Sequence, residues 1–199
     1  MRKLILCGIL MLFLTSLNGC TKEELILTAE NIETNTLLAK NNGVIQAATV
    51  EDFSKDYYNL NELSEFVMGE INTYNQVSGG ENVIMDELER KDDKVIMILS
   101  YTGMKHYAEF NKVLAAYFNG GNKEILIELP NTLVNVKDGS TDNTRDVIQN
   151  EKIKVLIVEE PFDVIVDGKI QHHSDNATIV EKNKLKSAME GTTVIVFKP

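Results

Sequence analysis

The chain has 199 residues, of which 43% are hydrophobic and 25% charged, and its formal net charge at pH 7 is −10. This length suits one well-buried domain. The acidic balance argues against nucleic-acid binding through clustered Lys and Arg side chains, and against docking on anionic lipid through a basic patch.

The first nineteen residues have the three-part form of a secretory signal peptide. Arg2 and Lys3 supply a positive start, and residues 4–14 form an apolar run. This run is shorter than the ~20 apolar residues that cross a bilayer. We therefore predict a cleaved signal peptide over residues 1–19, not a transmembrane helix.

The end of this segment carries a specific motif, in which Leu17, Asn18 and Gly19 precede Cys20. It resembles the lipobox of bacterial lipoproteins. The resemblance implies that Cys20 receives a diacylglyceryl group on its sulfur and becomes the mature N-terminus. Acyl chains would then hold the protein on the extracytoplasmic face of the cell membrane. The alternative is an ordinary signal peptide with an incidental cysteine.

Because Thr21 follows the cysteine, and not Asp, the resemblance implies sorting to the outer membrane if the cell has two membranes. Cleavage would remove 19 of 199 residues and leave 180, and loss of Arg2 and Lys3 would change the net charge from −10 to −12. Cys7 would leave with the signal peptide. The processed domain would thus carry no free thiol for disulfides, thiolate catalysis or cysteine-based metal sites.

Residues 20–33 are predicted to form the acylated N-terminus and a tether, in which the apolar residues 25–27 would suit a strand. Residues 34–199 are predicted to form a single domain. It begins with a hairpin of residues 36–39 and 44–47, because Asn42-Gly43 favours a tight turn.

The first helix is predicted from a capping-box pattern, in which Glu62 follows Asn59 at the cap, and it would end at Gly79-Gly80. Strands over residues 83–89 and 94–101 follow. A second helix, capped by Thr102, is predicted to run to Gly120-Gly121. Its apolar side would hold Met104, Tyr107, Phe110, Leu114 and Tyr117.

The rest of the chain is rich in predicted strands, with one short helix over residues 142–149. Asp167-Gly168 is typical of a hairpin turn between two of the strands. The strands are predicted over residues 124–129, 133–136, 153–158, 162–166, 169–172, 177–180 and 192–197. The predicted fold is α+β, with a largely antiparallel sheet, two main helices and a β-rich C-terminal half.

The sequence predicts no metal site, and two groups of residues come nearest to forming one. His172 and His173 are adjacent, and on a strand their rings would point to opposite faces. The segment from Asp138 to Asp142 is oxygen-rich, but it lacks the glycine and the closing glutamate of a calcium loop. A turn and a helix cap at Asp142 explain the segment without a metal, and we expect no cofactor.

The aromatic residues concentrate on or near the two predicted helices. We expect them to pack in the core with tyrosine hydroxyls at its edge. The alternative is an exposed tyrosine patch that contacts a peptide or protein.

The sequence lacks serine-nucleophile, phosphate-loop and dinucleotide-binding motifs. The predicted function is that of a lipid-anchored, non-catalytic binding or adaptor domain for an envelope protein, peptide or surface component. Two alternatives stay open: a single-domain lipoprotein that binds a small molecule or metal, and an envelope hydrolase with paired carboxylates, or with a carboxylate beside His172 or His173. The segment 56–66, DYYNLNELSEF, and the Asn-, Lys- and Ile-rich composition resemble uncharacterised lipoproteins of low-GC Gram-positive bacteria.

Overall fold

The computed structural model describes residues 24–121 and 127–199. The predicted signal peptide and the lipobox with Cys20 lie outside the described residues, as does the first half of the predicted strand 124–129. Within the described part, the chain forms two β-sheets and three α-helices, which confirms the predicted α+β class. No helix in these two ranges is long and apolar enough to cross a membrane.

The helices of the described chain are α1 (Leu60–Ser78), α2 (Met104–Asn111) and α3 (Thr144–Ile148). The strands are β1 (Thr36–Ala39), β2 (Ile45–Asp52), β3 (Val83–Lys91), β4 (Lys94–Tyr101), β5 (Ala115–Asn119), β6 (Thr132–Asn135), β7 (Thr141–Asn143), β8 (Lys154–Val158), β9 (Asp163–Val166), β10 (Lys169–His173), β11 (Thr178–Glu181), β12 (Lys184–Lys186) and β13 (Thr193–Lys198).

In the part of the chain that the structure describes, the first sheet has seven strands in the order β11-β12-β9-β1-β2-β4-β3, and the second has six in the order β5-β8-β13-β10-β6-β7. Within the described chain, β1 and β9 form a parallel pair and the other pairings are antiparallel. The parallel pair joins the C-terminal strands to the N-terminal hairpin. The β-rich half is therefore divided between both sheets.

Helix α1 forms as its sequence predicts. The Asn59 side chain accepts hydrogen bonds from the backbone N–H groups of Asn61 at 2.9 Å and Glu62 at 3.3 Å. Gly79 ends the helix with a φ of 79°, in the left-handed region that glycine adopts at low cost. The β1–β2 hairpin is confirmed as well, with Gly43 in its turn.

The predicted second helix is too long. Helix α2 starts after Gly103, not after a Thr102 cap, and it ends where Lys112 adopts a φ of 57°. Leu114 lies beyond the helix, and Tyr117 lies in β5, which pairs with β8. The spacing of the apolar residues after Lys112 is compatible with the period of a helix and with that of a strand. Pairing with the buried β8 favours the extended form.

The predicted hairpin at Asp167-Gly168 is also wrong. Strand β9 belongs to the first sheet and β10 to the second, so the turn connects the two sheets. The Asp167 N–H donates to the carbonyl of Ala39 at 3.0 Å. A Cβ at position 168 would collide with the backbone carbonyl of Lys198, so this crossing requires glycine.

The two sheets pack face to face over a core to which α1 and α2 also contribute. On the outer face of the second sheet, apolar residues of α3 and of residues 127–129 cover the strands. The outer face of the first sheet is covered by residues 25–32, whose Leu27, Ala29 and Ile32 are buried. Part of the predicted tether is thus core, although residues 25–27 form no strand.

Candidate functional site

A groove lies on the inner face of the first sheet, between α1 and α2. Its volume is about 640 Å³, and strands β2 and β4 form its floor. We call it the α1–α2 groove. The second sheet and the two helices bury Leu99 and Tyr101 at one end of this face, and the face is less covered near Met97 and Glu51 at the other end.

Apolar and aromatic side chains line most of this groove. Met97, Leu99 and Tyr101 lie in alternate positions on β4, so they share the face that forms the floor. Phe66 on α1 lines the wall and is 68% exposed, although its helical spacing predicts a core position. An exposed aromatic ring beside an apolar floor is typical of a binding surface.

The floor ends in a hydrogen-bonded pair. The Tyr107 hydroxyl donates to Oε2 of Glu160 at 2.6 Å. The Tyr101 ring meets the Tyr107 ring edge-on at 5.2 Å between centroids, and the Tyr101 hydroxyl accepts a bond from Asn111 at 3.1 Å. Burial raises the pKa of Tyr101 to about 12, and burial and the bond to Glu160 raise the pKa of Tyr107 further. Both hydroxyls therefore stay protonated at neutral pH.

A second polar cluster links the two helices that bound the groove. The Tyr74 hydroxyl on α1 donates to Oε2 of Glu109 on α2 at 2.8 Å, and it lies 2.9 Å from Nδ1 of His106. Since the hydroxyl hydrogen points to Glu109, the Nδ1–H of His106 donates to Tyr74. Burial and the bond to Glu109 raise the pKa of Tyr74 to about 12. This cluster fixes the spacing of α1 and α2 at one point.

The groove is strongly acidic. Among the described residues, its lining holds the carboxylates of Glu51, Glu70, Glu109 and Glu160 and one cation, Lys112. Ionised carboxylates are pure hydrogen-bond acceptors, and aromatic faces attract cations. The groove is therefore chemically suited to a positively charged, partly apolar ligand, and it disfavours phosphates and carboxylates.

The structure brings two of the predicted candidate residues together. Nε2 of His172 on β10 lies 2.9 Å from Oδ2 of Asp142 on β7, and the same oxygen accepts from Asn135 at 2.9 Å. The bonds from Asn135 and His172 lower the pKa of Asp142. The buried Nδ1 atom of His172 has no hydrogen-bond partner among the described residues. The ring nitrogen that would have to meet a substrate is thus closed off.

The other candidate residues serve local structure. His173 points the other way along β10, is buried, and its Nδ1 contacts the carbonyl of Ser174 at 2.8 Å. The Asp138 carboxylate accepts from the backbone N–H and hydroxyl of Ser140, and these bonds lower its pKa. The cap of α3 is Asn143, not the predicted Asp142. Across residues 24–121 and 127–199, no group of three His, Cys, Asp or Glu side chains is placed to hold a metal ion.

Comparison with protein-family models, with curated proteins and with solved structures found no match for this chain. The groove therefore has to be interpreted from its own chemistry. Sequence reasoning placed Tyr74, Tyr107 and Phe110 on helix faces but did not identify Glu160, which follows β8 in an ordinary acidic loop. Its only signal in the sequence is a carboxylate next to a strand end.

Proposed function

We propose that this protein is a lipid-anchored, extracytoplasmic binding domain without catalytic activity of its own. Its α1–α2 groove would hold an extended, apolar and positively charged segment of an envelope protein or peptide. The observation that carries the proposal is the groove itself, in which, among the described residues, four carboxylates and one cation surround an apolar part of the sheet and aromatic side chains of both helices.

The shape of the groove favours a chain segment as its occupant. The lining extends along β2 and β4 from the buried Tyr101 to the exposed Glu51, a distance of about 20 Å at ~3.4 Å per residue. A peptide in extended form covers this length with about six residues. Alternate side chains would then face the apolar floor, while cationic side chains would reach the carboxylates.

The binding test uses two matched octapeptides, one alternating Leu and Lys and the other alternating Leu and Glu. We expect the Leu-Lys peptide to bind, as measured by isothermal titration calorimetry, and the Leu-Glu peptide not to bind. Affinity should fall when salt screens the carboxylates. Equal binding of both peptides would contradict the charge argument.

Variants locate the binding. Phe66→Ala should weaken binding of the Leu-Lys peptide about tenfold, since an aromatic contact of this kind contributes on the order of 1.4 kcal/mol. Tyr57→Ala is the matched control, because Tyr57 is 76% exposed and lies outside the groove lining. Glu70→Gln should weaken binding, and Glu65→Gln on the same helix should leave it unchanged. Binding that tolerates both groove variants would refute the assigned site.

The anchor has its own test. Mass spectrometry of the protein extracted from membranes should find diacylglycerol on Cys20, with residues 1–19 absent. Cys20→Ser should leave an uncleaved, unacylated chain. A mature protein that starts elsewhere or lacks the lipid would contradict the anchor and leave the groove to be tested in solution.

A further inference from the structure

The N-terminal segment, residues 24–32, is bound along the outer face of the first sheet in a definite direction. Its start lies at the β1–β2 turn, where Oε1 of Glu24 pairs with Nζ of Lys40 at 2.9 Å. The backbone N–H of Leu27 then donates to Oε1 of Gln46, near the start of β2, at 3.1 Å. From Glu24 onward, the segment thus runs away from the β1–β2 turn.

The later contacts continue toward the opposite end of the sheet. The N–H of Ala29 donates to Oε2 of Glu87 on β3 at 2.8 Å. The carbonyl of Glu30 accepts from Nζ of Lys91, the last residue of β3, at 3.1 Å. The segment therefore spans the sheet from the β1–β2 turn to the far end before the chain returns as β1.

Buried groups hold this segment in place. The Gln46 amide donates to Asp86 at 2.8 Å and to Ser100 at 3.2 Å, so its oxygen is fixed toward Leu27. Leu27, Ala29 and Ile32 are buried against apolar residues of β1, β2 and β4. Ordered backbone bonds and buried side chains make this segment part of the folded domain.

Only four residue steps separate Glu24 from Cys20 in the sequence. Fully extended, four steps span at most about 14 Å. An acyl group on Cys20 would therefore hold the Glu24–Lys40 end of the domain within that distance of the lipid headgroups.

We infer that the N-terminal segment is a rigid mount that turns the β1–β2 end of the domain toward the bilayer. This inference rests on the proposed acylation of Cys20. The α1–α2 groove follows β2 and β4, so its Tyr101 end would face the membrane and its Glu51 end would face outward. A partner segment would enter the groove from the side away from the membrane.

The orientation is measured by energy transfer to an acceptor lipid in vesicles. The full-length gene is expressed in a bacterium, and the membrane-extracted protein is reconstituted. A donor dye is attached to p-azidophenylalanine in place of Lys105 or, as the matched control, Lys55. Lys105 is 76% exposed and lines a shallow cavity with Gly43 of the β1–β2 turn. Lys55 is exposed and follows the opposite end of β2.

We expect transfer from position 105 to be at least twice that from position 55. Insertion of a flexible twelve-residue Gly-Ser linker between residues 23 and 24 should make the two equal. Equal transfer without the linker, higher transfer from position 55, or a difference that survives the linker would each overturn the mount.

Failure of the anchor is separable from failure of the mount. Mass spectrometry of the same preparation reports whether Cys20 is acylated. If its thiol is free, the experiment uses a Cys7→Ser variant, in which Cys20 is the one cysteine of the chain. Coupling Cys20 to a maleimide phospholipid supplies the anchor, and the same comparison of positions 105 and 55 decides the orientation.

Discussion

The two faces of the β2–β4 pair carry similar apolar residues, but different parts of the chain pack against them. On the outer face, Ala48, Ile96 and Ile98 are closed off by the N-terminal segment. On the inner face, Met97 is the chain neighbour of both Ile96 and Ile98, yet it is only partly buried and lines the groove. The difference lies in what covers each face. Whether an apolar residue of a strand belongs to the core or to a binding surface depends on which other parts of the chain pack over it.

The largest expected effect is on the covered face. Ile98→Ala should lower the free energy of unfolding by about 3 kcal/mol, because the site is fully buried between strand and segment. Met97→Ala, at the adjacent residue on the groove side, should cost only about 1 kcal/mol, because Met97 is only partly buried. Urea unfolding measures both. Equal losses would contradict the contrast between the faces.

The burial of Tyr101 on the inner face should make the stability of the protein depend on pH in the alkaline range. The pKa of Tyr101 in the folded state is raised from 10.0 to about 12, so its contribution to stability is complete below pH 10 and is lost as pH rises through 12. At about 1.4 kcal/mol per unit, this loss is about 2 to 3 kcal/mol.

Tyrosinate absorbance and circular dichroism, recorded together from pH 9 to 13, check this expectation. Part of the tyrosinate signal should appear only with unfolding. In Tyr101→Phe, the alkaline loss of stability should be smaller. Full titration of all tyrosines in the native state near pH 10 would contradict the burial.

The N-terminal segment, which covers the outer face, should itself contribute to the stability of the fold. Leu27→Ala should lower the free energy of unfolding by about 2 kcal/mol, since Leu27 is buried against the sheet. The neighbouring Ile26 is 59% exposed, so Ile26→Ala should stay within about 0.5 kcal/mol of the parent. If thermal and urea unfolding gave the same result for both variants, the segment would be a tether, as its sequence predicts.

The smallest effect concerns the polar end of the groove. Tyr107→Phe removes the bond to Glu160 and should cost about 1 kcal/mol. It should also change binding of the Leu-Lys peptide, because Glu160 is released. Tyr57→Phe is the control, with neither change expected. An unchanged affinity in Tyr107→Phe would remove Glu160 from the site.

Local signals in the sequence predicted much of the fold. The Asn59 cap, the glycine after α1 and the Asn-Gly turn act within a few residues, so helix α1 and the first hairpin are correct. The prediction failed where distant strands compete for a segment. Residues 115–119 form a strand because β8 lies alongside, and the Asp167-Gly168 turn separates two sheets.

The residues of the candidate site also fall into two groups, those that local sequence patterns indicated and those that only long-range packing brought together. The sequence indicated aromatic helix faces, but it did not indicate that Phe66 would stay exposed or that Glu160 would meet Tyr107, 53 residues away. In the sequence, His172 and Asp142 belonged to two different candidate metal sites. Folding brings Nε2 of His172 to 2.9 Å from Oδ2 of Asp142. Pairings over such separations depend on strand order, which single-sequence periodicity does not encode.

By itself, the sequence determined the α+β class, the boundaries of α1, the turn of the first hairpin and the acidic character of the chain, because these depend on neighbouring residues and on composition. The tertiary structure alone decided which face of the first sheet is sealed, where the groove opens and which carboxylates surround it. Those features depend on how two sheets and two helices share one apolar surface, and burial of that surface is settled only when all of them pack together.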